Sequence, residues 1–348
     1  MHLGMFWEEM PRGSQARQAF QDGLDLVDAA EAWGLDGVWL GELHFTPGRS
    51  VLSAPLVVAS AVAARTRRLR VGTAVQVLPL GHPLRLAEEV ATVDQLSQGR
   101  FDFGIGRSGA AHTYEGFGIP YRESQARFQE VLAVLRLAWT GEPVTYQGQF
   151  YRVEQVTVAP RPYQEPHPPL RMAATSPETF PLVGRLGLPL FAGLRGMGIP
   201  ELRMHLDAYR AAWRDAGHPG EADVFLRIPV YAGATERAAR EEPQASILYY
   251  FQRQAEFTRR GLGHRGSGPP GPREAEAARL ASLSYEEILS TRVEFGTAAA
   301  LVDRLAVVRD DLGLSGIVAE LDPGGGIPAE QVRRTLRILT HEVLPTFR

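Results

Sequence analysis

Eight short strand-like runs alternate with helix-like stretches along the whole sequence, and this alternation constrains the fold most. Gly34 ends the first helix-like stretch, Ala16 to Trp33, and the second run follows at Gly37. Such alternation predicts parallel strands joined by helices. Eight such units in 348 residues predict one α/β domain over residues 1–348, a (β/α)8 TIM barrel with insertions. The runs are Leu3–Phe6, Gly37–Gly41, Leu69–Val75, Arg100–Gly106, Leu170–Ala174, Leu190–Ala192, Val224–Ile228 and Gly316–Glu320.

Two stretches interrupt the alternation. Residues Gly141 to Tyr163 predict a β-hairpin excursion with Gln147-Gly148 as its turn. The segment Gly261–Pro272 is so rich in glycine and proline that we expect no regular structure there. It is either a linker or part of a lid. A lid insertion near residues 240–290 is favoured, because long loops inside compact domains more often cover binding sites.

The composition excludes several chemistries. The chain has no cysteine, and all 37 of its basic residues are arginine, so neither a thiolate nucleophile nor a lysine Schiff base is available. The nine histidines show no metal-binding spacing, and the G-x-S-x-G hydrolase motif is absent.

The charge and hydropathy pattern bears on partners and location. A net charge of −3 argues against a nucleic-acid surface. No run approaches the roughly 20 apolar residues that span a bilayer, and the N-terminus lacks a signal pattern, so a cytoplasmic location without membrane contact is expected.

Polar residues follow three of the predicted strands, where parallel strands bring such groups together. Glu42 and His44 follow the second strand, and Arg107 follows the fourth within a glycine-rich turn. An arginine in such a turn can grip a phosphate through two parallel hydrogen bonds. After the fifth strand, Ser176 is expected to be a helix N-cap with Pro177 at the first helical position. That element is either a second anion site or simply a capped helix.

Two other glycine motifs admit a phosphate-binding interpretation. Gly104 to Gly109 matches G-x-G-x-x-G, but no helix is predicted to begin at its last glycine, which disfavours a dinucleotide fold. Gly324 to Gly326, after the last strand, is either a phosphate cradle or a flexible connection, and the connection is preferred. Aromatic residues at or just after strand ends are candidates for lining an apolar substrate pocket: Phe6, Trp7, Phe45, Tyr114 and Phe191.

Several motifs, in the same order along the chain, resemble the flavin-dependent monooxygenase family of bacterial luciferase. The resemblance covers most of the chain outside residues 235–290. Its main segments are Glu42–Thr46, Val71–Ala74 with Val77–Pro79, His82-Pro83 with Ala87-Glu88, and Asp94–Phe101; weaker ones are Ser176–Thr179, Gly187–Pro189, Phe295–Thr297 and Leu312-Gly313.

The resemblance implies a specific activity. A barrel of this family binds reduced FMN and uses it with oxygen to oxidise a small organic molecule such as an aldehyde or ketone. The chain has no convincing nicotinamide site, so a separate flavin reductase is implied as partner.

The resemblance also implies roles for individual residues. Glu42 and His44 are the implied catalytic pair, and Leu43 stands where luciferase has its catalytic histidine. Glu42 also contacts the flavin, together with Thr73, Ala74 and Val75, and a non-proline cis peptide is expected between Ala74 and Val75. The FMN phosphate is expected to bind Arg107, Thr175, Ser176 and Thr179.

Two alternatives stay open at this point. One is a deazaflavin-dependent enzyme that transfers hydride on the same barrel. The other is a flavin-binding protein without catalysis. We also expect a homodimer, because the predicted helix Leu52 to Ala64 is apolar on nearly every face and must be covered together with the helix Pro83 to Leu96.

Overall fold

A computed structural model describes residues 1–8, 13, 15–194, 196–260 and 270–348. The strands of this part are β1 His2–Trp7, β2 Gly37–Leu40, β3 Arg70–Thr73, β4 Gln76–Val77, β5 Phe101–Gly106, β6 Val144–Gln147, β7 Arg152–Val156, β8 Leu170–Ala174, β9 Leu190–Gly193, β10 Val224–Ala232, β11 Glu294–Gly296 and β12 Gly316–Glu320. The α-helices are α1 Ala16–Trp33, α2 Pro55–Arg65, α3 Pro83–Ser97, α4 Ala111–Gly116, α5 Ser124–Ala138, α6 Thr179–Arg185, α7 Ile199–Asp215, α8 Glu236–Glu241, α9 Gln244–Arg260, α10 Pro270–Ser282, α11 Tyr285–Thr291, α12 Ala298–Leu312 and α13 Ala329–Ile338.

Eight strands close into a barrel. Going round it, β1 is followed by β2, β3, β5, β8, β9, β10 and β12, and β12 pairs with β1 again. Every one of these pairings is parallel. The predicted (β/α)8 barrel is therefore confirmed, and all eight predicted strands are barrel strands. We call the end at which the strands finish, after Trp7, Leu40, Thr73, Gly106, Ala174, Gly193 and Glu320, the barrel mouth.

The strands alternate between two buried faces. Residues such as Leu3, Val38 and Ile105 pack outward against the helices. The alternate positions point into the barrel, where Phe6, Trp39, Phe191, Phe225 and Val318 form a separate cluster, the inner cluster. A parallel barrel buries its strands on both faces, which explains why these runs are apolar nearly throughout.

Charged residues occupy the start of the barrel interior below the inner cluster. Arg70 pairs with Asp102 at 2.6 Å, and Arg171 pairs with Asp223 at 2.7 Å. His2 accepts a hydrogen bond from the indole nitrogen of Trp39 at 3.2 Å. Burial is the main cause that lowers the pKa of His2 to about 4, so this imidazole is neutral in the folded protein.

Several predicted element boundaries shift in the structure. The helix expected from Leu52 begins only at Pro55, since proline suits the first helical turn. The glycine-rich stretch after β5, Gly109 to Pro120, contains the short helix α4. The last α-helix, α13, ends at Ile338 and continues as a π-helical turn over Leu339–Val343.

Two excursions leave the barrel. Strands β6 and β7 form an antiparallel hairpin, closed by a hydrogen bond from the Gly148 N–H to the Tyr151 carbonyl at 2.9 Å. Between β10 and β11 the chain forms the helices α8 to α10 and then α11. Of the segment Gly261–Pro272, residues 261–269 lie outside the described residues. Pro270 begins α10, so the expectation of irregular structure as far as Pro272 is wrong.

Within the described ranges, no helix is both long and apolar enough to cross a membrane.

Candidate active site

Glu42 connects two neighbouring segments at the barrel mouth. Its side chain is only 3% exposed, and its Oε1 lies 2.7 Å from His44 Nε2. Its Oε2 accepts two hydrogen bonds of 2.7 Å, from the Gln76 side-chain amide and from the Val77 N–H. One carboxylate therefore holds the imidazole of His44 and fixes the segment that follows β3. The sequence predicted Glu42 and His44; the role of Gln76 was missed.

His44 lies beside two partly exposed aromatic rings. Phe117 meets its imidazole edge-on with 5.0 Å between ring centres, and Phe45 lies at 5.8 Å. Phe45 is 57% exposed and adopts a positive φ of 52°. In the part of the chain that the structure describes, His44 Nδ1 has no hydrogen-bond partner. With Nε2 held by Glu42, Nδ1 is the nitrogen that can contact a ligand.

Strand β3 ends in an unusually close contact with β5. The peptide bond between Ala74 and Val75 is cis, as the resemblance predicts. The Thr73 hydroxyl donates to the Gly104 carbonyl at 2.6 Å, and a Cβ on Gly104 would lie 1.8 Å from the Thr73 carbonyl oxygen. A Cβ on Gly106 would lie 2.4 Å from Val75 Cγ2. Only glycine at both positions lets the Thr73–Val75 segment lie there. Because the Thr73 hydroxyl is buried and already bonded, Thr73 supports this segment rather than presenting its side chain to a cofactor.

Arg107 follows β5 and carries a charge without a carboxylate partner among the described residues. Its Nη1 donates to Ser124 Oγ at 3.0 Å, and its guanidinium lies 5.6 Å from the Tyr121 ring centre. The Tyr114 hydroxyl donates to the Arg107 carbonyl. A guanidinium with unused donors at this position can accept an anion.

The turn Thr175–Thr179 follows β8, which is the neighbour of β5 in the barrel. Ile105 of β5 is in register with Met172 of β8. The two turns that follow these strands therefore lie side by side, since paired strands are about 4.8 Å apart. Thr175 is exposed, and the hydroxyls of Ser176 and Thr179 are 2.8 Å apart.

The predicted N-cap role of Ser176 is wrong. Helix α6 begins at Thr179, and its N-cap position is Glu178, which makes no side-chain cap hydrogen bond. The reason is a preceding turn, in which the Thr179 N–H donates to the Ser176 carbonyl at 2.9 Å. Ser176 thus lies within a turn, and its hydroxyl stays at the surface of the mouth.

The five predicted pocket aromatics occupy different environments. Phe6 and Phe191 belong to the inner cluster, and Phe45 is exposed beside His44. Tyr114 is fully buried and its hydroxyl donates to the Arg107 carbonyl, so the structure does not place it in the pocket lining. Trp7 faces outward: a Cβ on Gly23 of α1 would lie 2.0 Å from its ring. The predicted pocket role of Trp7 is wrong, because its strand position belongs to the opposite face from Phe6.

A buried ion cluster lies at the mouth beside the inner cluster. Arg227 binds Glu320 through two hydrogen bonds of 2.6 and 3.0 Å, and its guanidinium carbon stacks 3.6 Å above the Phe6 ring centre. Glu8 lies 4.0 Å from Arg227 and 3.3 Å from Arg49. Burial opposes the charge of Arg227, but Glu320 and Glu8 raise its pKa above the ordinary value. The sequence signal for this cluster was a charged residue inside each of two otherwise apolar strands.

Helix α9 packs next to this cluster. The Tyr250 hydroxyl lies 3.5 Å from Glu320 Oε2. At the start of the helix, the Ser246 hydroxyl donates to the Pro323 carbonyl at 2.8 Å and accepts from the Gly326 N–H at 2.9 Å. A Cβ on Gly324 would lie 2.4 Å from the Ser246 carbonyl. The glycine run is therefore a packed contact with α9, not a flexible connection.

The closed barrel, with a carboxylate–imidazole pair after β2 and an arginine after β5 at the same end, has the architecture of an α/β-barrel enzyme acting on a small ligand. The described ranges contain no group of acidic and imidazole side chains able to hold a metal ion. The sequence profile of the luciferase-like monooxygenase family matches residues 1–315. The chain belongs to this family and is an oxidoreductase of the flavin-dependent monooxygenase class, which confirms the family predicted from the motifs.

The chain is also similar over nearly its whole length to individual relatives and solved structures. The oxygenase component of a flavin-dependent trigonelline monooxygenase from Acinetobacter baylyi is 24% identical over 343 residues, covering 95% of this chain and 91% of the relative. The FMN complex of the oxygenating constituent of 3,6-diketocamphane monooxygenase from Pseudomonas putida has a TM-score of 0.82 at 20% identity, covering 99% of this chain and 98% of that one. An F420-dependent secondary alcohol dehydrogenase has a TM-score of 0.75 at 17% identity, covering 100% and 99%. At these identities the two structures show the fold alone.

Proposed function

We propose that the protein binds reduced FMN at the barrel mouth and uses it with oxygen to oxidise a small organic substrate. The observation that carries this proposal is Arg107, a guanidinium without a carboxylate partner in the described structure, next to a turn that offers hydroxyl groups. The family assignment makes a flavin the expected ligand, and the FMN seen in a structural neighbour supports the choice of FMN.

The phosphate of FMN fits between the turns after β5 and β8. Arg107 would supply a charge-assisted pair of hydrogen bonds, and Ser176 and Thr179 would supply hydroxyl donors. Thr175, exposed in the same turn, is the further predicted contact. A dianionic phosphate would act as the counter-ion of the Arg107 guanidinium, which has no carboxylate partner among the described residues.

The ring system of FMN fits above the Ala74-Val75 segment. Gly104 and Gly106 let this backbone lie close to β5, and Glu42 fixes the following residues through Gln76 and Val77. The small methyl side chain of Ala74 leaves room for a planar ligand. When bound, reduced FMN supplies the reaction with oxygen, and the protein supplies orientation and exclusion of water.

His44 is proposed to contact the reacting groups through Nδ1. Glu42 holds Nε2 and therefore sets the orientation of the ring and the nitrogen that carries the proton. In this arrangement Nδ1 can hold or release a proton at the substrate oxygen. Glu42 is a positioning residue for His44 and, through Gln76 and Val77, for the segment that follows the Ala74-Val75 bond.

Reduced flavin must come from outside this chain under the proposal. The relative from Acinetobacter baylyi is named as an oxygenase component, which supports a separate flavin reductase as partner here.

The main rival is a deazaflavin enzyme on the same barrel, which the F420-dependent neighbour keeps as an alternative. A deazaflavin cofactor has a longer acidic tail and needs a wider basic mouth. At the mouth, Arg49 and Arg227 are both paired with carboxylates, which favours FMN. The second rival, a flavin-binding protein without catalysis, predicts FMN binding without substrate-dependent oxygen uptake.

The phosphate assignment is tested by the variant Arg107→Ala. Loss of a charge-assisted contact of roughly 1.5–3 kcal/mol predicts about 10- to 100-fold weaker FMN binding in a fluorescence titration. Arg214→Ala, at an exposed arginine of α7, is the matched control and should bind FMN like the wild type. Equal affinities of the two variants would remove Arg107 from the phosphate site. Oxygen uptake with reduced FMN and a panel of aldehydes and ketones then separates an enzyme from an inactive binder.

A further inference from the structure

Helix α9 reaches across the barrel mouth. Near its middle, Tyr250 contacts Glu320 at the end of β12. Near its end, the Phe257 ring lies 5.5 Å from the Arg49 guanidinium and 5.5 Å from the His112 ring centre. Arg49 follows β2, and His112 follows β5. One face of α9 therefore spans the mouth from the β12 side to the β5 side.

Gln254 lies on this same face, and its side-chain amide has no hydrogen-bond partner in the described part of the chain. It follows Tyr250 by four residues and precedes Phe257 by three, so all three side chains leave the helix on one side. Gln254 is 1% exposed, and in the described part of the chain neither its Nε2 nor its Oε1 has a hydrogen-bond partner. A buried polar group without a partner is destabilising, and such groups in folded proteins call for a functional explanation.

Among the described residues, the charged groups at the mouth on the α9 side are paired with one another. In the described part of the chain, the buried ion cluster holds Arg49 and Arg227 together with Glu8 and Glu320, and each arginine lies next to a carboxylate. A charged ligand group placed here would lose its hydration without gaining an unpaired counter-charge. A neutral hydrogen-bonding group, by contrast, could pair with the unused amide.

We propose that Gln254 is a specificity-determining residue that hydrogen-bonds a neutral polar group of the substrate, a carbonyl or hydroxyl, beneath α9. This inference rests on the proposed function, because it places the substrate at the flavin end of the barrel. A site with an amide waiting for a partner discriminates against molecules that lack the matching group, since the amide then stays unpaired.

The test compares three ring compounds of similar size in turnover with reduced FMN. Cyclohexanone carries a neutral carbonyl, cyclohexene carries no polar group, and 4-oxocyclohexanecarboxylate adds a charge. For the wild-type protein we expect the highest kcat/KM with cyclohexanone. Gln254→Leu should lower the ratio of kcat/KM for cyclohexanone over cyclohexene by about 3- to 10-fold, the size expected for one neutral hydrogen bond.

Matched variants separate hydrogen bonding from packing. Gln252→Leu, at an exposed position of the same helix, should leave the ratio unchanged. Gln254→Met keeps the length and flexibility of the side chain and should behave like Gln254→Leu. Without ligand, both Gln254 variants should unfold at no lower a temperature than the wild type, because they remove an unpaired buried amide.

Each other result counts against a defined claim. An unchanged ratio in both Gln254 variants, or a clear loss of stability in the ligand-free variants, would overturn the role of Gln254. A wild-type protein that binds FMN but prefers cyclohexene or the carboxylate, or oxidises none of the three, would overturn the substrate class and leave the flavin assignment intact. Failure of the wild type to bind FMN would overturn the proposed function itself.

Discussion

Single glycines of β5 determine whether the Thr73–Val75 segment can lie against this strand. Gly104→Ala would place a methyl group 1.8 Å from the Thr73 carbonyl, where backbone atoms must move. We expect a loss of about 1–3 kcal/mol in the free energy of unfolding by urea, the usual cost of overpacking. Gly193→Ala is the matched control, since no atom lies within 4 Å of its added Cβ. Equal stability of the two variants would show that the contact with β5 is not tight.

His2 gives the protein a pH dependence that does not involve the mouth. Its pKa falls from 6.5 to about 4 on folding, chiefly through burial. Between these values the unfolded chain binds more protons, so the stabilising contribution is complete above pH 6.5 and is lost as the pH falls towards 4. His2→Gln, which can still accept from Trp39, should flatten this part of the profile of unfolding free energy against pH. Parallel profiles for variant and wild type would contradict the assignment.

The sequence predicted the position of some residues at the barrel mouth correctly and that of others incorrectly, for physical reasons. Glu42, His44 and Arg107 were predictable because polar groups directly after apolar strands must lie at the carboxyl ends of the barrel. Trp7 was not, because Phe6 and Trp7 are both apolar, and a strand buried on both faces gives no sign of which side chain points inward. Gln254 was missed because its significance depends on the absence of partners, which only three-dimensional packing reveals.

At the level of elements, strands were located more reliably than helix ends. The strands are short apolar runs bounded by glycine or polar residues, so the neighbouring sequence alone determines where each strand lies. The first residues of α2 and α6 depend on the hydrogen bonds of the preceding turn. Ser176 therefore looked like a cap, although its carbonyl closes a turn before the helix.

The element that depends most on a distant contact is α9. Gly324 has a φ of +89°, and its added Cβ would meet the Ser246 carbonyl at 2.4 Å. Gly324→Ala should therefore loosen α9 from the barrel and speed hydrogen exchange of its amides. Gly220→Ala is the control, because its φ of +71° is similar and no atom lies within 4 Å. If both variants leave exchange in α9 equally slow, the glycine contact does not hold the helix.

For the whole molecule, the barrel could be derived from the alternation of elements, but the helical excursion between β10 and β11 could not. The barrel follows from local pattern and the rule for parallel strands. The position of α8 to α11 is set by contacts such as that of Ser246 with the β12 loop, which join residues about 80 positions apart in the chain.

We also propose a homodimer through α2 and α3, the two helices that the sequence indicated. Val57 of α2 is 70% exposed and Leu96 of α3 is 53% exposed, and a second copy of the chain would cover both side chains. Val57→Asp should shift the protein from dimer towards monomer in light scattering at micromolar concentration. Val307→Asp, on α12 with 59% exposure, should leave the mass unchanged. A monomeric wild-type protein would refute the proposal.

The inner cluster limits how ligands can enter and leave the barrel. Phe6, Trp39, Phe191, Phe225 and Val318 fill the barrel interior, so nothing can pass through it from the far end. Under the proposed function, cofactor, substrate and product must all enter and leave through the barrel mouth. Oxidised flavin and product must then leave by the same route that the next reduced flavin and substrate need for entry. Turnover is therefore expected to proceed in an obligatory order, and excess substrate should slow it by blocking departure of the flavin.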